Sequence, residues 1–186
     1  MNAPDGLDFA VAAAIPLTGL TAYQAITEEL HAKQAFLSAG ADQYIVYTEE
    51  KYWECLAGVD YIIDTLGEKE FAHELSVLKE GGILLSLRTA PNKSYAKKNG
   101  FPLLKQMMFS LAGLKYDMMA RHQGKEYRFI FVRADGMQLE EITRMVETEK
   151  IVPQIDSRKF DLMQINDAVR LVHEGHTSGK VIVRFP

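Results

Sequence analysis

The chain is predicted to adopt an α/β fold, a doubly wound and mainly parallel sheet that is incomplete. Three observations carry this expectation. Short β-rich runs alternate with helix-like segments from Gln43 onward, the pattern of right-handed βαβ units. The runs are apolar throughout rather than alternating, as strands buried on both faces require. Finally, His31–Asp42 reads as an apolar helix end with no strand before it, so an earlier strand is absent.

The elements follow in order. TAYQAITEEL at Thr21–Leu30 is helix-like, and QYIVY at Gln43–Tyr47 is a short β-rich run followed by the helix-compatible TEEKYWECLA. VDYIIDTLG, Val59–Gly67, is a buried strand ending at a glycine. Lys69–Leu78 places Phe71, Leu75 and Leu78 on one helical face, and Gly81–Gly82 stop it. Ile83–Arg88 is the next strand, and Pro91–Gly113 carries a loop and a helix rich in Leu, Met and Phe. Tyr127–Arg133 is a strand and Met137–Lys150 a periodic helix. An extended segment (Ile151–Phe160), a helix (Leu162–Glu174) and a final strand VIVRF complete the chain.

Composition excludes several classes. Apolar residues make up 47% and charged residues 25% of the chain, ordinary for a globular protein. A net charge of −4 argues against a nucleic-acid partner. Lys93, Lys97, Lys98 and Lys105 form the one dense basic patch, read as a solvated helix face. The single cysteine, Cys55, excludes an internal disulfide framework and a cysteine-rich zinc site and points to a reducing, cytoplasmic compartment. The apolar run Phe9–Ile15 is interrupted by Pro16 and Gly19, which makes it short for a membrane span; its acidic flank does not fit a signal peptide. His31, His73, His122, His173 and His176 lack metal-ligand spacing, so no metal is expected.

Six segments in order carry a family resemblance: AAAIPLTGLTAYQAI (Ala12–Ile26), LSAGADQYIVY (Leu37–Tyr47), VDYIIDTLG, LKEGGILLSL (Leu78–Leu87), RFIFVRADGMQL (Arg128–Leu139) and EGHTSGKVIVRF (Glu174–Phe185). Together the chain resembles the medium-chain dehydrogenase/reductases in their zinc-free, quinone-oxidoreductase-like branch. The resemblance implies a Rossmann-like domain, with residues 1–30 as linker helices, 31–150 as a partial nucleotide-binding domain and 151–186 as a segment returning to a catalytic domain that has no counterpart here.

One departure bears on function. The family places a strand, a glycine-rich turn and a helix before LSAGAD, and that turn with the helix N-terminus holds the pyrophosphate. Nothing between Glu28 and Ser38 matches it, so the first βαβ unit is absent. Either the deletion is genuine and the sheet has rearranged, or residues are missing near Gln34–Ala35.

The resemblance also nominates cofactor contacts. Thr65, Leu66 and Gly67 would lie against the nicotinamide ribose; a plain strand-to-helix turn is the alternative. Ser86 and Leu87 end a strand at the same edge. Phe131 and Val132 resemble residues that close over the nicotinamide amide, and equally read as strand core. Thr21 and Tyr23 lie on the linker helix, where the Thr21 hydroxyl can instead satisfy a carbonyl one turn back. Lys180 resembles a basic residue near the cofactor or domain junction, and also reads as a solvated lysine opening a strand. No catalytic residue is identifiable.

The implied activity is hydride transfer from NADPH or NADH to a quinone or to an activated alkene or carbonyl, with NADP or NAD bound weakly or not at all by this chain alone. The alternative is an inactive remnant serving as a dimerisation or interaction module. A small-molecule substrate and a homodimer through strand 127–133 are expected, without a nucleic acid or membrane partner.

Overall fold

The computed structural model describes residues 8–31, 45, 49–175 and 177–185. The expected strand at Gln43–Tyr47, apart from Ile45, the Gln34–Ala35 junction and His176 lie outside the described residues. Two compact units divide the chain: Gln24–Phe131 forms one, and the flanking segments Met1–Tyr23 and Val132–Pro186 form the other.

The unit Gln24–Phe131 is built on a three-stranded parallel sheet. Strand β1 (Val59–Asp64) pairs with β2 (Leu78–Ser86), and β2 pairs with β3 (Glu126–Phe129), giving the order β1-β2-β3. Helix α4 (Phe71–Val77) crosses between the first two strands. Helices α5 (Lys93–Lys98) and α6 (Leu103–His122) cross between the last two. The short α3 (Tyr52–Cys55) precedes β1. Parallel strands require such crossovers, which is how the alternation of patterns becomes a layered sheet. Phe71, Leu75, Leu78, Leu84, Tyr116, Ala120 and Tyr127 form the core between helices and sheet. Phe71 packs edge-on against both Tyr116 and Tyr127, with centroids 4.9 and 5.5 Å away, an arrangement favoured by ring quadrupoles.

Three sequence expectations change. Strand β2 begins at Leu78 rather than Ile83, running through Gly81 and Gly82 with a register shift opposite Val59–Tyr61; Gly81 adopts φ +75°, the left-handed region in which glycine is unstrained. Strand β3 stops at Phe129 rather than reaching Arg133. Its partner β2 ends at Ser86, opposite Phe129, so the ladder has nothing beyond to pair with except the Ile130 amide, which donates to the Ser86 carbonyl at 3.1 Å. Burial on both faces also fails for β1, where Tyr61 and Ile63 are exposed.

In the flanking unit, α1 (Phe9–Ala13) and α2 (Ile15–Gln24) run into a π-helical turn, Ala25–Glu29, that belongs to the other unit. Pro16 and Gly19 do not interrupt α2. Pro16 occupies its first turn, where a missing amide costs nothing, and Gly19 lets the helix approach Ile142, whose Cγ2 would lie 2.9 Å from an added Cβ. Phe9–Glu29 is consequently long and apolar enough to cross a membrane by length and composition, among the described residues. Its Ile15 and Leu20 nevertheless pack on Ile142 and Val146 of α7 (Gly136–Glu149). A short parallel pair, β4 (Phe160–Asp161) with β5 (Val183–Arg184), and helix α8 (Ile165–Glu174) complete the unit. Asp156 anchors its loops, accepting from the Arg158 guanidinium and the Ser178 amide, contacts that hold its carboxyl well below the usual carboxylate range.

Candidate functional site

The carboxyl ends of β1, β2 and β3 share one edge because the strands are parallel, and such edges are where α/β sheets bind ligands. The edge is organised by Asp64, the last residue of β1 and only 1% exposed. Its Oδ1 accepts from the amides of Leu66 at 2.6 Å and Gly67 at 2.7 Å. Its Oδ2 accepts from Ser86 Oγ at 2.5 Å. Ser86 Oγ in turn accepts from the amides of Arg88 and Thr89 at 3.1 and 3.0 Å. The two turns leaving β1 and β2 are thus clasped to each other. Gly67, at φ +90°, turns the chain so that its α-carbon passes close to Arg88; an added Cβ would lie 3.4 Å from that side chain.

A second carboxyl lies beneath the clasp. Glu74 on α4 is 5% exposed and its Oε2 has no hydrogen-bond partner among the described residues. Burial first, and then the neighbouring Asp64 carboxyl, push its pKa up to about 8, so the side chain is largely protonated at neutral pH. Around the rim of the same helix, Tyr52 donates to Glu70 at 3.1 Å and Trp53 stacks on His73 with centroids 3.8 Å apart.

The nominated residues separate by unit. Thr65, Leu66, Gly67, Ser86, Leu87 and Phe131 lie at the sheet edge just described, whereas Thr21, Tyr23, Val132 and Lys180 belong to the flanking unit. Thr21 Oγ1 donates to the Leu17 carbonyl at 2.7 Å, one turn back. Tyr23 and Val132 pack on the Ile15–Ile142 cluster. Lys180 joins Ile155 in an isolated parallel bridge, its amide donating to the Gln154 carbonyl. At the edge, the Ser86 hydroxyl and the Leu66 and Gly67 amides are committed to Asp64. Leu66 and Phe131 stand outward, 62% and 72% exposed, with the exposed Arg88 between their strands. Sequence reasoning singled out neither Asp64, Glu74 nor Arg88. Asp64 carried a legible signal, an acid closing the apolar run Tyr61–Ile63, where only a polar partner makes burial tolerable.

The edge fits the nicotinamide end of a dinucleotide better than its phosphates. Leu66 and Phe131 offer apolar surface and Arg88 a cation, but the amides that would otherwise reach a phosphate are taken by Asp64. A zinc ion fits poorly: among the described residues no group of three His, Cys, Asp or Glu side chains is placed to hold a metal.

Comparison with known proteins agrees with this architecture. A family model described as zinc-binding dehydrogenase matches residues 39–183. The chain is 28% identical over 168 residues to the zebrafish (Danio rerio) NAD(P)H oxidoreductase RTN4IP1, mitochondrial, a match covering 87% of this chain and 42% of that protein. The solved quinone oxidoreductase from Coxiella burnetii superposes with a TM-score of 0.73 at 23% identity, covering 98% of this chain and 63% of that one. An NAD-dependent alcohol dehydrogenase superposes with a TM-score of 0.72 at 19% identity, over 99% and 61%. The chain therefore spans about two fifths of the curated relative. On the family match over residues 39–183, and with the Rossmann-like parallel sheet in place, the chain belongs to the zinc-binding dehydrogenase family.

Proposed function

We propose that this chain is the nicotinamide-side part of an NAD(P)H-dependent oxidoreductase that delivers hydride to a quinone or an activated alkene or carbonyl without zinc. The observation that supports this most directly is the carboxyl edge of the parallel sheet, where the Asp64–Ser86 clasp fixes two turns and leaves Leu66, Arg88 and Phe131 facing outward. The nicotinamide supplies the hydride when bound; the protein's part is to position the ring and exclude water. Leu66 and Phe131 provide the apolar wall and Arg88 a cation for the polar end. The same reading takes the protein to be a homodimer joined at the free edge of β3.

Because no glycine-rich turn holds the pyrophosphate, NADPH and reduced nicotinamide mononucleotide should bind this chain with similarly weak, millimolar affinity. NMR titration with each tests this. Shifts confined to Leu66, Gly67, Arg88 and Phe131 are expected. Micromolar NADPH affinity would overturn the absence of a phosphate site, and unchanged resonances at those four residues would overturn the site itself.

A further inference from the structure

Helix α6 carries an apolar face that the fold does not cover. Leu104, Met107, Met108, Leu111 and Met118 are each more than 60% exposed. At 3.6 residues per turn they form one continuous stripe, opposite the buried Gly113, Tyr116 and Ala120. Seven exposed large apolar side chains on one helix, counting Leu103 and Leu114, exceed the scatter expected of an ordinary surface.

The charge around this stripe is the second observation. Residues 91–125 contain seven Lys or Arg against a single acid, Asp117, in a chain whose net charge is −4. Lys105 borders one flank of the stripe, and Lys115, which falls between Leu104 and Met108 around the helix, is paired with Glu68. On the other flank Lys93, Lys97, Arg121 and Lys125 converge on a cavity of about 290 Å³ whose lining also includes Asp117 and Glu126. Glu126 is paired with Arg128, and Asp117 accepts from the neutral Asn92 amide at 2.8 Å, so one uncompensated carboxylate stands against four cations. Lys93, Lys97 and Arg121 take part in no ion pair among the described residues. Arg121 belongs both to this cavity and to the adjacent apolar hollow beside Met118, so the cationic pocket and the apolar stripe are contiguous.

Charge decides what covers the face. A second copy docking here would bring two strongly cationic surfaces together, which is unfavourable. An anionic surface with an apolar interior satisfies both features at once: lysines and arginines meet the headgroups, and Leu and Met side chains enter below them. We propose that the α5–α6 face docks on a phospholipid bilayer bearing anionic headgroups, with a headgroup phosphate in the Lys93–Lys97–Arg121 cavity and the Leu104–Met118 stripe in the acyl boundary.

Co-sedimentation of the full chain with vesicles tests this. Equimolar phosphatidylcholine and phosphatidylglycerol vesicles should retain the protein, pure phosphatidylcholine vesicles should not, and retention should fall with salt. The double variant Lys97→Glu, Arg121→Glu should bind the mixed vesicles at least roughly thirtyfold more weakly. Met107→Glu with Leu111→Glu, both at exposed positions, should abolish retention while circular dichroism stays unchanged. Equal retention by both vesicle types, or retention indifferent to these substitutions, would overturn the proposal. So would a disulfide dimer formed readily by Leu111→Cys in the absence of lipid, which would show a second copy on this face. Protection of Lys97 from acylation by inorganic phosphate, without vesicle binding, would reduce the cavity to a small-anion site and equally overturn it.

Discussion

Ser86 Oγ donates to Asp64 Oδ2 at 2.5 Å, and this one bond ties the carboxyl end of β2 to that of β1. Asp64 also holds the amides of Leu66 and Gly67, so its removal strands three donors. Asp64→Ala should cost roughly 2–4 kcal/mol in urea unfolding, and Ser86→Ala about 1–2 kcal/mol. The double variant should cost less than the sum of the two single losses, because the bond between the side chains is lost only once, while Ser86 keeps the Arg88 and Thr89 amides in Asp64→Ala. Additive losses would show that the bond does not couple the turns.

Glu74 makes stability depend on pH in an unusual sense for an acid. Its folded pKa of about 8 lies above the ordinary 4.5, so the native state holds a proton that the unfolded chain releases. Its contribution is complete below about pH 4.5 and is lost progressively as pH rises toward 8. Glu74→Gln, which keeps the neutral shape, should leave stability unchanged near pH 4.5 and raise it by roughly 2–4 kcal/mol at pH 9. Chemical denaturation at the two pH values checks both halves.

Gly113 lies inside α6, where alanine would ordinarily stabilise a helix by about 1 kcal/mol. Here an added Cβ would fall 2.5 Å from Asn92 Cβ and 2.7 Å from its Cα. Asn92 cannot withdraw, since it caps α5 by accepting from the Tyr95 amide and donates to Asp117. Gly113→Ala should therefore destabilise the protein, by about 1–3 kcal/mol, and thermal melting reads the reversed sign directly.

The dimer expected at the β3 edge is tested at Phe131. The Ile130 amide already serves Ser86 within the chain, so a proline there would damage the monomer. Alternation along the strand directs the Phe131 amide away from β2. Phe131→Pro should halve the mass seen by light scattering while leaving the melting temperature within a few degrees. A variant that stays dimeric places the interface elsewhere.

Much of the sheet was legible because parallel strands announce themselves as apolar runs. The strands expected at Val59–Gly67 and Ile83–Arg88 overlap β1 and the second half of β2, paired in parallel through α4. The extent of β3 was not legible, since Ile130–Arg133 is as β-prone as the strand itself and stops pairing only because β2 ends at Ser86. The candidate site divides in the same way. DTLG marked a turn at a ligand-binding edge, yet that the Ser86 hydroxyl is spent on Asp64 depends on a contact between residues 22 positions apart.

By itself, then, the sequence determined the order of elements, the parallel pairing, the family resemblance and the lack of a glycine-rich turn between Glu28 and Ser38, since each rests on residue types and short-range periodicity. Tertiary structure decided which apolar side chains remained outside. Leu111 and Leu75 are the same residue type on helices, but Leu75 lies fully buried against the sheet while Leu111 is 73% exposed. Periodicity shows that a helix has an apolar face. Only packing shows whether the fold has anything to place against it.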